Sequence, residues 1–439
     1  MSEKQTIDRS ATDEAARQAR RLLRPLRRSL IALTQELVRV DTVAVPPEGR
    51  ENAGQEVLEK WLRREGVDVE TYDTGKILRA SDHPYVRANR CYAQRRNLIA
   101  RIPGTGRGQS LILTGHMDTV PAQAAQWKDS PWSGRIRGGK LYGRGAWDMK
   151  GGLAAQFAVV LALRRAGIRL PGNVLAESVV DEEWAGGGGA LAGRLRGDNA
   201  DAAVIAEGTN LTVVRATRGG HFFDLSVTAG DPAKYFSSGE VESPAVPMGR
   251  LLQWIDGWTR RRKRIRRGTA YRDFEDPAPV QVLALEAGRF EPGTPWSVPL
   301  FAKVRVYFQF LPHEDVPGVI RSIRDSLAEF CRRDPFFCDH PPQWNDLVYP
   351  PLLGHELSRT HPWTRCLSAS ASTCLGKEAT VTAAPYPCDA FLLQHEFGIP
   401  SLLFGPCGSG AHNADECVTL ASLHQTAEVL LAATLQWCG

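Results

Sequence analysis

The sequence predicts an α/β fold with a smaller α+β domain inserted into it, and three observations carry that expectation. Apolar, strand-like runs alternate with helix-like segments over residues 97–206. Three of those runs end directly in polar residues: Leu111–Thr114 before Gly115-His116, Val174–Val180 before Asp181-Glu182-Glu183, and Val204–Ala206 before Glu207. In open α/β sheets, ligands bind beyond the carboxyl ends of the strands. After Arg218-Gly219-Gly220 the texture changes to half-exposed alternation, and from Leu352 the α/β texture returns. At 439 residues the chain is too long for one ordinary core, so two domains are expected.

Composition narrows the class. A charged fraction of 23% beside 43% hydrophobic residues is that of a soluble globular protein, and a net charge of +5 is too small for this length to argue for nucleic acid. No apolar run is long enough to span a bilayer. Residues 1–29 are polar and arginine-rich and lack the apolar core of a signal peptide. The nine cysteines form no Cys-x-x-Cys pair and are irregularly spaced, which favours reduced thiols and a cytoplasmic location over a disulfide framework.

In chain order, residues 1–25 read as an N-terminal extension, a frayed amphipathic helix. Leu26–Val40 has helical spacing, Pro46-Pro47 breaks the chain, Ala53–Glu65 is a second helix ended by Gly66, and Val67–Tyr72 is a strand. Residues 76–95 form an arginine-rich loop without a period, Asn97–Ile102 is a strand, and Pro103–Gly108 is a turn. Gly152–Arg165 is a helix with Leu153, Phe157, Val160 and Leu161 on one side. In the inserted domain His221–Val227 and Ala302–Phe310 alternate as strands, and Leu251–Trp258 and Val316–Phe330 are helical. The basic run Arg260–Arg267 reads as a solvated helix end or loop rather than a binding site for an acidic partner. Ser401–Phe404 is a strand leading into a glycine-rich loop that presents His412. That loop has no Gly-Lys-Ser/Thr ending and no helix directly after it, so it is not a phosphate cradle.

The polar strand-end groups are His116, Asp118, Asp148, Glu182, Glu183, Glu207 and His412. Alone, a strand-end histidine and a loop aspartate are equally a satisfied core residue and a helix cap. Together, two histidines and three carboxylates offer only nitrogen and oxygen donors, which fits a pair of zinc ions. Asp118 can hold the tautomer of His116, and Asp148 can bridge two metals with its two oxygens. One carboxylate must stay off the metals to take a proton, and the adjacent Glu182 and Glu183 divide those tasks because consecutive residues leaving a strand point in different directions.

The motifs Thr-Gly-His-Met-Asp-Thr-Val-Pro, Leu-Tyr-Gly-Arg-Gly-Ala-Trp-Asp-Met-Lys-Gly-Gly, Asp-Glu-Glu, Ala-Glu-Gly and Gly-Ala-His-Asn-Ala-Asp-Glu resemble those of the co-catalytic zinc hydrolases. This family includes acetylornithine deacetylase, succinyl-diaminopimelate desuccinylase, aminoacylase and the glutamate-releasing carboxypeptidases. The resemblance runs from about Leu30 to the C-terminus. It implies a catalytic domain (26–216 and 336–439) with a mixed, largely parallel sheet, and an inserted lid and dimerisation domain over residues 217–335. It further implies two zinc ions per chain, with cobalt or manganese as substitutes. His116 and Glu207 would hold one, Glu183 and His412 the other, and Asp148 would bridge them. Asp118 would orient His116, Glu182 would be the general base and acid, and the Asp148-Met149 peptide would be cis.

Three positions depart from the family. The lid histidine that reaches the oxyanion is replaced by Lys234-Tyr235, an Asn-Val-x-Pro segment by Trp296-Ser297-Val298-Pro299, and the arginine that grips a substrate carboxylate by Gln309. Lys234, Trp296 and Gln309 are therefore the candidate substrate-binding residues. They point to a recognised end that is neutral, or bulky and partly aromatic, unless Arg289 or Arg305 supplies the clamp instead. The expected function is a dizinc amidohydrolase removing an acyl group from a small N-acyl amine or amino-acid-like substrate. A dipeptidase or carboxypeptidase acting on a short peptide is the runner-up. A metal-bearing binding protein is the rival from another class, and Glu182 argues against it, since a pure binder needs no base beside its metals.

Overall fold

The apolar runs of the sequence become the centre of a nine-stranded mixed sheet in the computed structural model, which describes residues 9–185, 187–230, 242–288 and 298–439. Ser401–Leu403, Ala202–Ile205, Leu111–His116 and Val174–Val179 lie side by side and parallel. Arg96–Ile102 and Val69–Asp73 extend the sheet antiparallel on one side. On the other, Val213–Thr217 pairs antiparallel with Ser401–Leu403 and parallel with Val381–Ala383. Every residue of Leu111–His116 and of Val174–Val179 is buried, as parallel strands covered on both faces must be. Glu177 tolerates this because Arg194 takes both of its oxygens at 2.8 Å.

The chain divides into two compact units. One comprises residues up to Ala216 with His355–Ala384 and Cys388–Gly439, the other Thr217–Gly354 with Pro385–Pro387. The inserted unit thus runs to Gly354, beyond the expected end at 335, because Gln343–Asp346 pairs with Gly219–Thr228 as a further strand. Its antiparallel sheet has the order Val280–Ala287, Phe301–Phe310, Gly219–Thr228, Gln343–Asp346. Phe223, Leu225, Val304, Val306 and Phe308 of that sheet form one core with Leu251, Ile255, Ile323 and Leu327 of the helices Pro247–Arg262 and Val316–Arg333.

Two sequence expectations need correction. From Arg9 the N-terminal segment is no frayed extension: Arg9–Leu23 is a helix that buries Ala15, Ala16, Ala19 and Leu23 and packs on the C-terminal helix Leu420–Cys438, while residues 1–8 lie outside the described residues. Arg20 fixes it further by donating to the carbonyls of Thr373 and Cys374 at the end of the helix Pro362–Leu375. The basic run is not uniformly solvated either, since Arg262 is buried and donates to Glu314 and to the Gln309 carbonyl. Among the described residues no helix is long and apolar enough to cross a membrane.

Candidate metal centre

The centre is built at the carboxyl ends of the four parallel strands. Leu111–His116 delivers His116 into a buried position, and glycine at 115 leaves room for the Met149 side chain, whose Cε would stand 2.4 Å from a Cβ there. A Cβ on Gly152 would stand 1.7 Å from the Ala206 carbonyl oxygen, so glycine lets the helix Gly151–Arg165 press against the strand end that presents Glu207.

His116 donates from Nδ1 to the backbone carbonyl of Asp118 at 2.9 Å, while the Asp118 carboxylate stands farther off at 3.6 Å. That carboxylate instead accepts the backbone N–H groups of Glu182 and Glu183, each at 3.0 Å. Asp118 therefore orients the histidine through its main chain and fixes the acidic pair through its side chain. The opposite ring nitrogen, Nε2, lies 3.4 Å from Asp148 Oδ1, 3.5 Å from Glu207 Oε1 and 3.9 Å from Glu182 Oε2. The second oxygen of Asp148 lies 3.3 Å from His412 Nε2, which is 2.9 Å from Glu183 Oε2. One carboxylate is thus shared between two histidines. The Asp148-Met149 peptide is cis, the form that the resemblance implies.

The electrostatics are those of a site that wants a cation. His116 Nε2 and Glu183 Oε1 are buried and make no hydrogen bond, which buried polar atoms rarely do. Ligand atoms of His116, Asp148 and Glu183 all lie within 4.8 Å of one another. Burial works against a charged His116, but Asp148 and Glu207 hold it well above the ordinary imidazole range. Asp148 and Glu183 beside His412 push that ring up to about 11. Burial and the charge of Asp148 push Glu183 up to about 7, and burial with Asp389, Glu207 and Glu183 pushes Glu182 well above a normal carboxylate. His116, His412, Glu183, Asp148 and Glu207 bring together nitrogen and oxygen donors that could hold a divalent cation, which would displace the protons they carry. The nitrogen and oxygen donor set fits zinc.

Three supporting groups escaped the sequence reading. Lys150 is fully buried and donates from Nζ to the carbonyls of Leu37 and Val40, capping the helix Arg27–Val38; burial pushes its amine down to about 7. Asp181, next to Glu182, accepts the Tyr92 hydroxyl at 2.8 Å and faces Arg90 and Arg95. The unexplained arginine-rich loop therefore braces the acidic pair, and the signal was its charge density, since buried arginines need carboxylate partners. Asp389 is buried close to the centre, and burial pushes it up to about 8.

Of the candidate substrate-binding residues, Lys234 and Trp296 lie outside the described residues, as does Arg289. Gln309 is buried in the inserted unit, and its Oε1 accepts from Arg218 at 2.8 Å. Arg218 also donates to the carbonyls of Asp276 and Pro385 and lies over the rings of Tyr271 and Phe274. Arg305 is paired with Asp224 at 2.9 and 3.1 Å.

Known proteins resemble this chain in sequence and in fold. The model of peptidase family M20/M25/M40 matches residues 112–436. The N-formyl-4-amino-5-aminomethyl-2-methylpyrimidine deformylase of Halalkalibacterium halodurans is 26% identical over 432 residues, covering 93% of this chain and 94% of that protein. The succinyl-diaminopimelate desuccinylase of Methylobacterium radiotolerans is 26% identical over 405 residues, covering 90% and 93%. Among solved structures, the dipeptidase Dug1p from Saccharomyces cerevisiae superposes with a TM-score of 0.75 at 14% identity, over 96% of this chain and 98% of that one.

Proposed function

Because this chain belongs to peptidase family M20/M25/M40, we propose that it is a dizinc amidohydrolase that removes an acyl group from an N-acyl amine whose recognised end is neutral. The observation that carries the metal part is the division of the Asp148 carboxylate between His116 and His412. In this reading His116 and Glu207 would hold one zinc and Glu183 and His412 the other, with Asp148 shared between them; cobalt or manganese would suit the same donors. Zinc held there supplies an acidified water and a Lewis acid for the amide carbonyl. Glu182 takes a proton from the attacking water and returns it to the leaving nitrogen. Asp118 keeps Glu182 in place through the backbone N–H that it accepts.

Two features favour a deacylase over a peptidase. In the family, glutamate at the position of Glu207 goes with deacylases and aspartate with peptidases. Two sequence relatives, each 26% identical and matched over 93% and 90% of this chain, are named as a deformylase and a desuccinylase. Gln309 then separates substrate types. An arginine fork makes two charge-assisted bonds to a carboxylate, whereas a carboxamide offers only neutral hydrogen bonds. The Arg218 charge beside it is already engaged by Gln309 and two carbonyls, and Arg305 is engaged by Asp224. A flat, neutral, aromatic amide such as the one in the deformylase's name suits this better than a free amino acid. Trp296 adds a large apolar face, and Lys234 serves as an oxyanion donor.

The chain acts as a homodimer through the inserted unit. Support comes from the strand Val280–Ala287, which among the described residues is an edge strand with Val282, Leu283 and Leu285 exposed, and which a second copy can pair with. Nine free thiols support a cytoplasmic location.

The test compares kcat/KM for matched N-acyl amino acids and their C-terminal amides. Wild type is expected to favour the amides. The swap Arg218→Gln with Gln309→Arg, which conserves the buried charge, is expected to shift the preference toward the acids by roughly 10–100-fold, the worth of one charged hydrogen bond. A wild-type preference for the acids would contradict the neutral-end reading.

A further inference from the structure

Glu416 stands four residues after His412 and reaches the other metal-binding loop. Its carboxylate is wholly buried and takes four donors. Oε1 accepts the backbone N–H groups of Trp147 at 2.9 Å and Asp148 at 3.0 Å. Oε2 accepts the Gly145 N–H at 2.9 Å and Arg144 Nη1 at 2.6 Å. Its own backbone carbonyl accepts the Gly143 N–H at 3.0 Å, and Cys417 pairs with Tyr142 in the strand that follows. Residues 143–148 are therefore wrapped around one anion.

The consequence is a closed circuit. From the Glu416 carboxylate the path runs to Asp148 N–H, along the Asp148 side chain, across 3.3 Å to His412 Nε2, and back along the chain to Glu416. Two loops that meet from distant parts of the sequence have only weak local reasons to hold these positions. Backbone N–H groups converging on one point need an anion there, and a neutral side chain satisfies them poorly.

We propose that Glu416 is a positioning residue of the metal centre, whose carboxylate fixes Asp148 and His412 relative to each other. This rests on the metal-centre reading above and goes beyond it, because Glu416 touches neither substrate nor metal in that reading. Groups that orient metal ligands from outside typically alter metal affinity by roughly 10–100-fold.

The experiment uses the full chain as wild type, Glu416→Gln and Glu416→Asp, stripped and reloaded with Co²⁺ for the visible spectrum and titrated with Zn²⁺ against a chromogenic chelator. Glu416→Gln is expected to bind Zn²⁺ roughly 10–100-fold more weakly and to shift the Co²⁺ bands. Glu416→Asp keeps the charge on a shorter arm and is expected to fall between the two. A purely structural role would lower thermal stability and leave the Co²⁺ spectrum and Zn²⁺ affinity of the folded variant at wild-type values, and that result overturns the inference. If Glu416→Gln does not fold, Glu416→Asp decides, and wild-type affinity and spectrum in it overturn the inference equally. A wild type that takes up no metal would overturn the metal-centre reading as well, whereas a metal-replete wild type with an indistinguishable Glu416→Gln overturns this inference alone.

Discussion

Glu182→Gln is expected to retain about two metals per chain and to lose turnover by roughly 10²–10⁴-fold, the usual contribution of a general acid–base group. The substitution is nearly isosteric, so the backbone N–H that Asp118 accepts at 3.0 Å is undisturbed. Glutamine keeps a polar side chain beside the centre but cannot take a proton. Glu182 Oε2 is 3.9 Å from the imidazole of His116, farther than the oxygens of Asp148 and Glu207 at 3.4 and 3.5 Å. Steady-state kcat with metal analysis on the same sample checks it. Metal loss in this variant would place Glu182 among the ligands instead.

Glu183→Gln is expected to do the reverse. Glu183 Oε2 meets His412 at 2.9 Å, and Oε1 is buried without a partner. A neutral carboxamide there removes one anionic donor, so the loss of affinity should exceed the roughly 10–100-fold typical of groups that only orient ligands. Added Zn²⁺ should restore part of the activity, whereas it should do nothing for Glu182→Gln. If both variants keep metal and activity, the division of labour between these neighbours is wrong.

What could be read from the sequence follows from how each element is buried. Leu111–His116 and Val174–Val179 are covered on both faces, so they appear as apolar runs ending in the groups they present. The edge strand Val280–Ala287 escaped because only Val280 is buried and its other positions are exposed or half-exposed, leaving no alternation to detect. The packing of the helix Arg9–Leu23, though not its helical character, escaped because most of its buried face is small: Ala15, Ala16 and Ala19 make a weak apolar signal, and its partner is the C-terminal helix. In the loop 76–95, Arg90 and Arg95 find Asp181 about ninety residues away, a pairing that no local pattern records.

At the candidate centre the motifs located the side chains, but not which atoms act. Asp118 looked like a carboxylate partner for His116, yet its carbonyl is the nearer acceptor and its carboxylate holds Glu182 and Glu183. Backbone groups carry no residue identity, so such roles become visible only in three dimensions. The partners of Gln309 are of the same kind, since Arg218 comes from just before the adjacent strand Gly219–Thr228 and the carbonyls of Asp276 and Pro385 that it also meets come from separate loops.

The most direct measurement is kcat/KM of the Zn²⁺-replete wild type for an N-formyl amine with a neutral aromatic end, set against an unblocked dipeptide under the same conditions, each with and without chelator. A deacylase with this centre cleaves the N-formyl amine with the higher kcat/KM and loses that activity with the metal. Faster cleavage of the dipeptide, or hydrolysis that survives complete metal removal, would contradict it.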